Sequence, residues 1–150
     1  MADGRNALEL EPTLYDVIEL DALRPRSAYA GNLYSQEFYR LCARRLKPGG
    51  VMCSWGPTSR TRTTFARVFR HMVASDDGLI LVGGNDPIAV DASAWQQRLN
   101  VSSRYLGAPR TDELEHVLRR VGPLNPDAIS SREDLNHDLD PRDEFITPRR

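Results

Sequence analysis

The carboxylate of Asp21 directly follows the β-prone run Tyr15-Asp-Val-Ile-Glu-Leu20. The next dozen residues contain Pro25, Ser27 and Gly31, a composition that predicts a loop after a strand. Ligand sites of α/β proteins lie beyond the carboxyl ends of their strands. Asp21 is therefore a candidate site residue, and the alternative is a loop aspartate that caps a turn.

A second acidic residue, Asp3, stands at the start of a predicted short helix that runs to Leu10 and is closed by Pro12. Capping of this helix and contact with a ligand both remain open for Asp3, since one carboxylate can do both. Two aromatic residues beside the predicted elements, Tyr34 and Trp55, are more typical of the core or the wall of a pocket than of specific ligand contacts.

The overall charge excludes several classes of partner. The 150 residues include 20 basic and 21 acidic side chains, a net charge of −1, so no global field recruits nucleic acid or an anionic membrane. No apolar run approaches the roughly 20 residues of a membrane helix, and no signal-like stretch is found at the beginning. These features predict a cytoplasmic protein with no direct membrane insertion.

The cysteines and histidines predict no metal. Cys42 and Cys53 do not form a Cys-x-x-Cys pair, which argues against a disulfide framework or a structural zinc site. The histidines at 71, 116 and 137 share no spacing typical of metal ligands.

The chain alternates strands and helices in its first half. We predict a strand at Tyr15–Leu20, a helix at Ser35–Leu46, a strand at Val51–Trp55 and a helix at Thr61–Met72. This alternation predicts parallel strands in an α/β fold. A tight turn at Asp76-Asp-Gly78 then predicts an antiparallel hairpin at the sheet edge.

Two further helices are predicted at Asp91–Leu99 and Thr111–Val121, with Gly122-Pro123 beyond the end of the second. We expect both to cover a face of the sheet. Residues 125–150 are polar and contain few aliphatic side chains, so we expect an extended tail that wraps over the domain or is partly disordered.

Several motifs carry a resemblance to a known family. They are Asp3-Gly-Arg-Asn6, Tyr15-Asp-Val-Ile18 through Asp21, Leu33-Tyr-Ser-Gln-Glu-Phe-Tyr39 and Arg45-Leu-Lys-Pro-Gly-Gly-Val51. In this order they resemble the spermidine synthase-like aminopropyltransferases. The tail sequence Asn136-His-Asp-Leu-Asp-Pro141 is similar to the closing motif of large, membrane-associated members.

The resemblance implies a fold and a chemistry. Residues 1–124 would form the carboxyl-terminal half of a Rossmann-like domain of the methyltransferase type. Family members transfer an aminopropyl group from decarboxylated S-adenosylmethionine to a polyamine nitrogen. Asp21 matches the aspartate that accepts the amine proton. Asp3, followed by Gly4, matches the motif that hydrogen-bonds the adenine amino group.

This sequence departs from the family pattern around the amine. Arg24 replaces a second aspartate that helps to hold the diamine, and Trp55 replaces a glutamine near the end of the next strand. With Tyr34, these two residues are predicted to line the substrate pocket. A cation in place of an anion would repel a protonated diamine if it faced that pocket.

The family's amino-terminal β-domain, Gly-x-Gly-x-Gly loop and ribose-binding acidic residue have no counterpart in this sequence. We therefore expect a truncated domain that is inactive alone and that forms homo-oligomers or needs the missing half, because an apolar strand edge would be exposed. The alternatives are an S-adenosylmethionine-type methyltransferase half-domain that needs a partner chain, and a non-catalytic dimerisation module.

Overall fold

The computed structural model describes residues 4–21, 27, 30–75, 78–129 and 135–145. Asp3, Arg24 and the two aspartates of the predicted turn lie outside these residues. The described helices and strands follow in chain order: α1 (Gly4–Leu10), β1 (Tyr15–Leu20), α2 (Gln36–Arg45), β2 (Leu46–Trp55), α3 (Ser59–Val68), β3 (His71–Ala74), β4 (Ile80–Gly84), α4 (Ala92–Leu106), α5 (Ala108–Leu118), β5 (Gly122–Pro123) and α6 (Pro126–Ile129).

The strands form one sheet in the order β1-β2-β4-β3-β5. β1 and β2 are parallel, and the other three pairings are antiparallel. The mixed α/β architecture with a parallel pair and an antiparallel hairpin is the predicted fold class, and it is consistent with a partial Rossmann-like fold. β4 lies between β2 and β3, so β5 and not the hairpin forms the far edge.

One face of the sheet packs against α2 and α3. Met52 and Leu81 project from β2 and β4 into a core with Phe65, Phe69 and Tyr39, and all five side chains are fully buried. A Cβ added at Gly83 would lie 2.6 Å from Phe69 atoms, so glycine lets the aromatic rings approach the strand. The core is thus a layer of rings on a sheet.

α2 begins where the sequence predicts, because the Ser35 side chain accepts a hydrogen bond from the Phe38 amide. The predicted strand Val51–Trp55 is five residues too short, since β2 already begins at Leu46. The extra residues form an irregularity opposite β1, and Gly49 has a φ of +72° there.

The prediction of a helix at Thr61–Met72 was wrong at both ends. Thr58 accepts a hydrogen bond from the Thr61 amide, so α3 already begins at Ser59. α3 ends at Val68, and Met72 lies in β3, where it pairs with Gly83. Met72 is buried in the strand, which explains why its spacing mimicked a helical face.

The two later helices differ from prediction in position and in packing. α4 is longer than predicted, and α5 begins earlier and ends at Leu118. Instead of covering the sheet, they pack mainly on each other, and Leu99 is the one buried side chain among their described residues. Gly122-Pro123, expected beyond a helix, forms β5 beside β3.

Residues 135–145 lie against the amino-terminal ends of α2 and α3. The buried Asn136 accepts a hydrogen bond from the Gln36 amide through its carbonyl and donates its own amide to Thr64. The Asp143 carboxylate is 1% exposed and accepts hydrogen bonds from Thr58, Thr61, Arg60 and Asn136.

We expect Asp143→Ala to destabilise the fold by about 3–5 kcal/mol, because it leaves Arg60, which is 17% exposed, without this charge partner. Asp140→Ala is the matched control, since Asp140 is 57% exposed and pairs with Arg142 at the surface; its effect should stay within about 0.5 kcal/mol. Urea denaturation measures both. Equal losses for the two variants would contradict a buried anchoring role for Asp143.

Candidate functional site

The ends of three strands meet at one end of the sheet. Leu20 pairs with Ser54 in the parallel β1–β2 register, so Asp21 comes off the sheet beside Trp55. β4 runs antiparallel to β2, and its first residue, Ile80, pairs with Trp55. The register therefore gathers a carboxylate, an indole and an aliphatic side chain at the predicted position.

A cleft of about 560 Å³ lies at this end of the sheet. Its lining residues are Glu19, Leu20, Asp21, Cys53, Ser54, Trp55 and Ile80. Two of them were predicted as site residues, Asp21 as the catalytic group and Trp55 as a pocket residue.

Glu19 is a functional candidate that the sequence reasoning missed. Side chains two residues apart in a strand point to the same side, so the position of Glu19 two residues before Asp21 could have indicated a second carboxylate. Both are exposed, and neither has a hydrogen-bonding or ion-pair partner within the described part of the chain. Among the described residues, the cleft therefore presents two carboxylates and no cation that pairs with them.

A second cleft, of about 350 Å³, adjoins the first. The two share Trp55 and Ile80. The far side of the second cleft is formed by α5 and the residues after it, where Arg120 Nη1 lies 3.1 Å from His116 Nε2. The combined surface thus runs from carboxylates, across apolar side chains, to the Arg120 guanidinium and the His116 imidazole that accepts its hydrogen bond.

Tyr34 belongs to the buried core and is not one of the residues that line the cleft. It is completely buried, and this burial, with a further contribution from the Asp21 charge, raises the pKa of its phenol to about 12. The neighbouring Tyr39 hydroxyl lies 3.3 Å from Ser54 Oγ. Tyr34 therefore senses Asp21 electrostatically without forming the wall of the cleft.

Gly4, predicted to bind the nucleoside, lies in a different groove. This groove of about 400 Å³ runs between α1 and β1 and shares Glu19 and Leu20 with the cleft that contains Asp21. A Cβ at Gly4 would meet no atom within 4 Å, so packing does not require glycine there. The other predicted nucleoside residue, Asp3, and the pocket residue Arg24 lie outside the described residues.

Within the described ranges, no cluster of three or more His, Cys, Asp or Glu side chains could hold a metal ion. None of the helices described is long and apolar enough to cross a membrane.

Comparison with known proteins finds relatives that match part of the chain. Over 55 residues the chain is 44% identical to polyamine aminopropyltransferase 2 of Pseudomonas aeruginosa, a match that covers 36% of this chain and 16% of that protein. Over 58 residues it is 41% identical to the polyamine aminopropyltransferases of Mycobacterium tuberculosis and Mycobacterium bovis, covering 38% of this chain and 11% of each relative. This chain contains a spermidine synthase-like region. No family model matches the chain.

The matches confirm the family resemblance over part of this chain. They span less than a fifth of the length of each of these relatives. The matches therefore do not by themselves assign the activity or the partners of the full-length relatives to this chain.

The position of Glu19 can be tested through Cys53, its partner in the β1–β2 register. Burial raises the pKa of the Cys53 thiol, and the Glu19 charge raises it further. Glu19→Gln should lower that pKa and so increase the thiolate fraction, speeding alkylation by iodoacetamide about two- to threefold near pH 8. The rate is read by mass spectrometry of the Cys53 peptide.

Glu11→Gln is the control, because Glu11 is an exposed carboxylate before β1 and outside the cleft. Cys42 serves as an internal reference, since burial raises its pKa to about 12. An unchanged Cys53 rate in Glu19→Gln would contradict the placement of Glu19.

Proposed function

We propose that this chain is a spermidine synthase-like aminopropyltransferase domain of the polyamine biosynthesis type, with decarboxylated S-adenosylmethionine as co-substrate. The supporting observation is the position of Asp21. It is an exposed carboxylate at the carboxyl end of β1, in a cleft, within a chain that matches polyamine aminopropyltransferases at 41–44% identity over part of its length.

The proposed step is a nucleophilic displacement. The amine nitrogen attacks the aminopropyl carbon next to the sulfonium, and a new C–N bond forms. The C–S bond breaks with its electron pair on sulfur, so neutral methylthioadenosine leaves. Asp21 attracts the protonated amine and accepts its proton, which frees the lone pair for attack.

We propose further that the chain alone is inactive. Of the two predicted nucleoside residues, the described one, Gly4, lies in the α1–β1 groove and not in the cleft with Asp21. The sequence also contains no Gly-x-Gly-x-Gly run to approach a nucleoside closely. A companion polypeptide would have to complete the nucleoside site.

Release of methylthioadenosine from decarboxylated S-adenosylmethionine and an amine tests this proposal. The chain is assayed alone and after co-expression with the coding sequence immediately upstream of its own. We expect activity only in the second case, and Asp21→Asn should reduce it by about 10²- to 10⁴-fold because the proton acceptor is lost. Asp16→Asn, which alters an exposed carboxylate paired with Lys47, should keep the activity.

Three outcomes would contradict the proposal in different ways. Normal turnover by the purified chain alone would refute its inactivity. Equal activity of Asp21→Asn and the wild type would refute the role of Asp21. Methyl transfer from S-adenosylmethionine, without aminopropyl transfer, would indicate a methyltransferase half-domain instead.

We also propose that the chain self-associates through β1. Within the described residues β1 pairs with β2 only, so its other edge is open. Val17 is 59% exposed on this strand and is one of the residues that line the largely apolar α1–β1 groove. An open apolar strand edge favours pairing with a strand of another chain.

Light scattering should give about twice the chain mass of 16.9 kDa for the wild type. Val17→Lys should give the monomer mass, because a lysine on an edge strand opposes strand pairing. Val101→Lys is the matched control, since Val101 is 58% exposed on α4, and this variant should remain dimeric. A monomeric wild type with a cooperative melting transition would refute self-association.

A further inference from the structure

The register of β1 and β2 places Glu19 and Trp55 in the same cleft. Glu19 pairs with Cys53 across β1 and β2, and Trp55 follows two residues later on the same side of its strand. Both line the cleft that contains Asp21. An indole and two carboxylates thus line the same cleft. Within the described part of the chain, neither carboxylate has a counter-ion.

The chemistry of this corner suits an organic cation. Carboxylates attract an ammonium group, and tryptophan is the side chain whose ring attracts cations most strongly. Leu20 and Ile80 add apolar walls. A small inorganic cation would gain little from these walls, whereas an alkyl chain attached to an ammonium group would be removed from water.

The second cleft, which continues the first, favours a ligand with one positive charge over a ligand with two. Beyond Trp55 and Ile80 the surface continues over the apolar Leu79 and Val117, with Ser75 as one polar side chain beside them. His116 and Arg120 follow on the far side. A second ammonium at the other end of an alkyl chain would therefore lose its hydration to largely apolar side chains near the Arg120 guanidinium, whereas a methyl end carries no charge to desolvate.

We propose that this cleft binds a monoamine with an apolar tail in preference to a diamine, with Glu19 and Trp55 as residues that determine this specificity. The ammonium group lies between Glu19 and Asp21, and the alkyl chain crosses Trp55 and Ile80. The claim that the monoamine is a substrate rests on the proposed aminopropyl transfer. The claim that the cleft binds the monoamine does not, because binding requires no nucleoside.

Fluorescence titration with six-carbon ligands tests the proposal. In a Trp95→Phe background, Trp55 is the remaining tryptophan of the sequence, so the emission reports on the cleft. Hexylamine, hexamethylenediamine and hexanol are compared, and we expect hexylamine to bind at least about threefold more tightly than the other two. Calorimetry on the unmodified chain checks the ranking.

Two variants assign the contacts. Glu19→Gln should weaken hexylamine binding about fivefold and leave hexanol unchanged, because only the charged end is affected. Trp55→Leu, measured by calorimetry, should weaken hexylamine binding by a similar factor. Glu11→Gln is the control for charge outside the cleft and should leave both ligands unchanged.

Equal or tighter binding of the diamine, an unchanged affinity in Glu19→Gln, or no saturable binding of hexylamine would each overturn the proposal. These outcomes differ from a failure of the proposed function. If hexylamine binds as expected but no aminopropyl transfer is found with a companion chain, the cation site stands and the transferase does not. If transfer is found and hexylamine does not bind, the transferase stands and the cation site does not.

Discussion

The parallel pairing of β1 with β2 determines where the candidate chemistry lies. Because both strands point the same way, their carboxyl ends coincide, and Asp21 emerges beside Trp55. A shift of one residue would turn Glu19 toward the opposite face and separate it from Cys53. The irregularity at the start of β2 absorbs the extra residues after α2 while the register from Val51 onward stays intact.

A second constraint holds the helices that cover the core. The tail reaches the amino-terminal ends of α2 and α3 at the same time. Its Asn136 carbonyl accepts a hydrogen bond from an orphan backbone amide of α2, and its Asp143 carboxylate accepts hydrogen bonds from side chains at the start of α3. Asp143 at α3 and Asn136 between the helices are both buried, and they bond to each other. A buried charge with several donors is costly to disrupt, which ties a segment distant in sequence to the centre of the fold.

The charge distribution around the cleft is uneven. The chain as a whole is nearly neutral, yet two carboxylates without partners in the described residues lie together at the end of β1. Local concentration of one sign in a concave surface attracts a ligand of the other sign more strongly than net charge predicts. Burial of Tyr34 in the core, with a further contribution from the Asp21 charge, raises the pKa of its phenol to about 12.

Local signals in the sequence determined α1, the start of α2 at its Ser35 cap, and the position of Asp21 after a strand, because caps and strand alternation act over a few residues. The family motifs likewise sufficed for the spermidine synthase-like resemblance. Only the tertiary structure decided that Met72 belongs to a strand, that Glu19 shares a cleft with Trp55, and that α4 and α5 pack on each other. These features depend on which distant segment lies alongside, and neither hydrophobic spacing nor residue type encodes that choice locally.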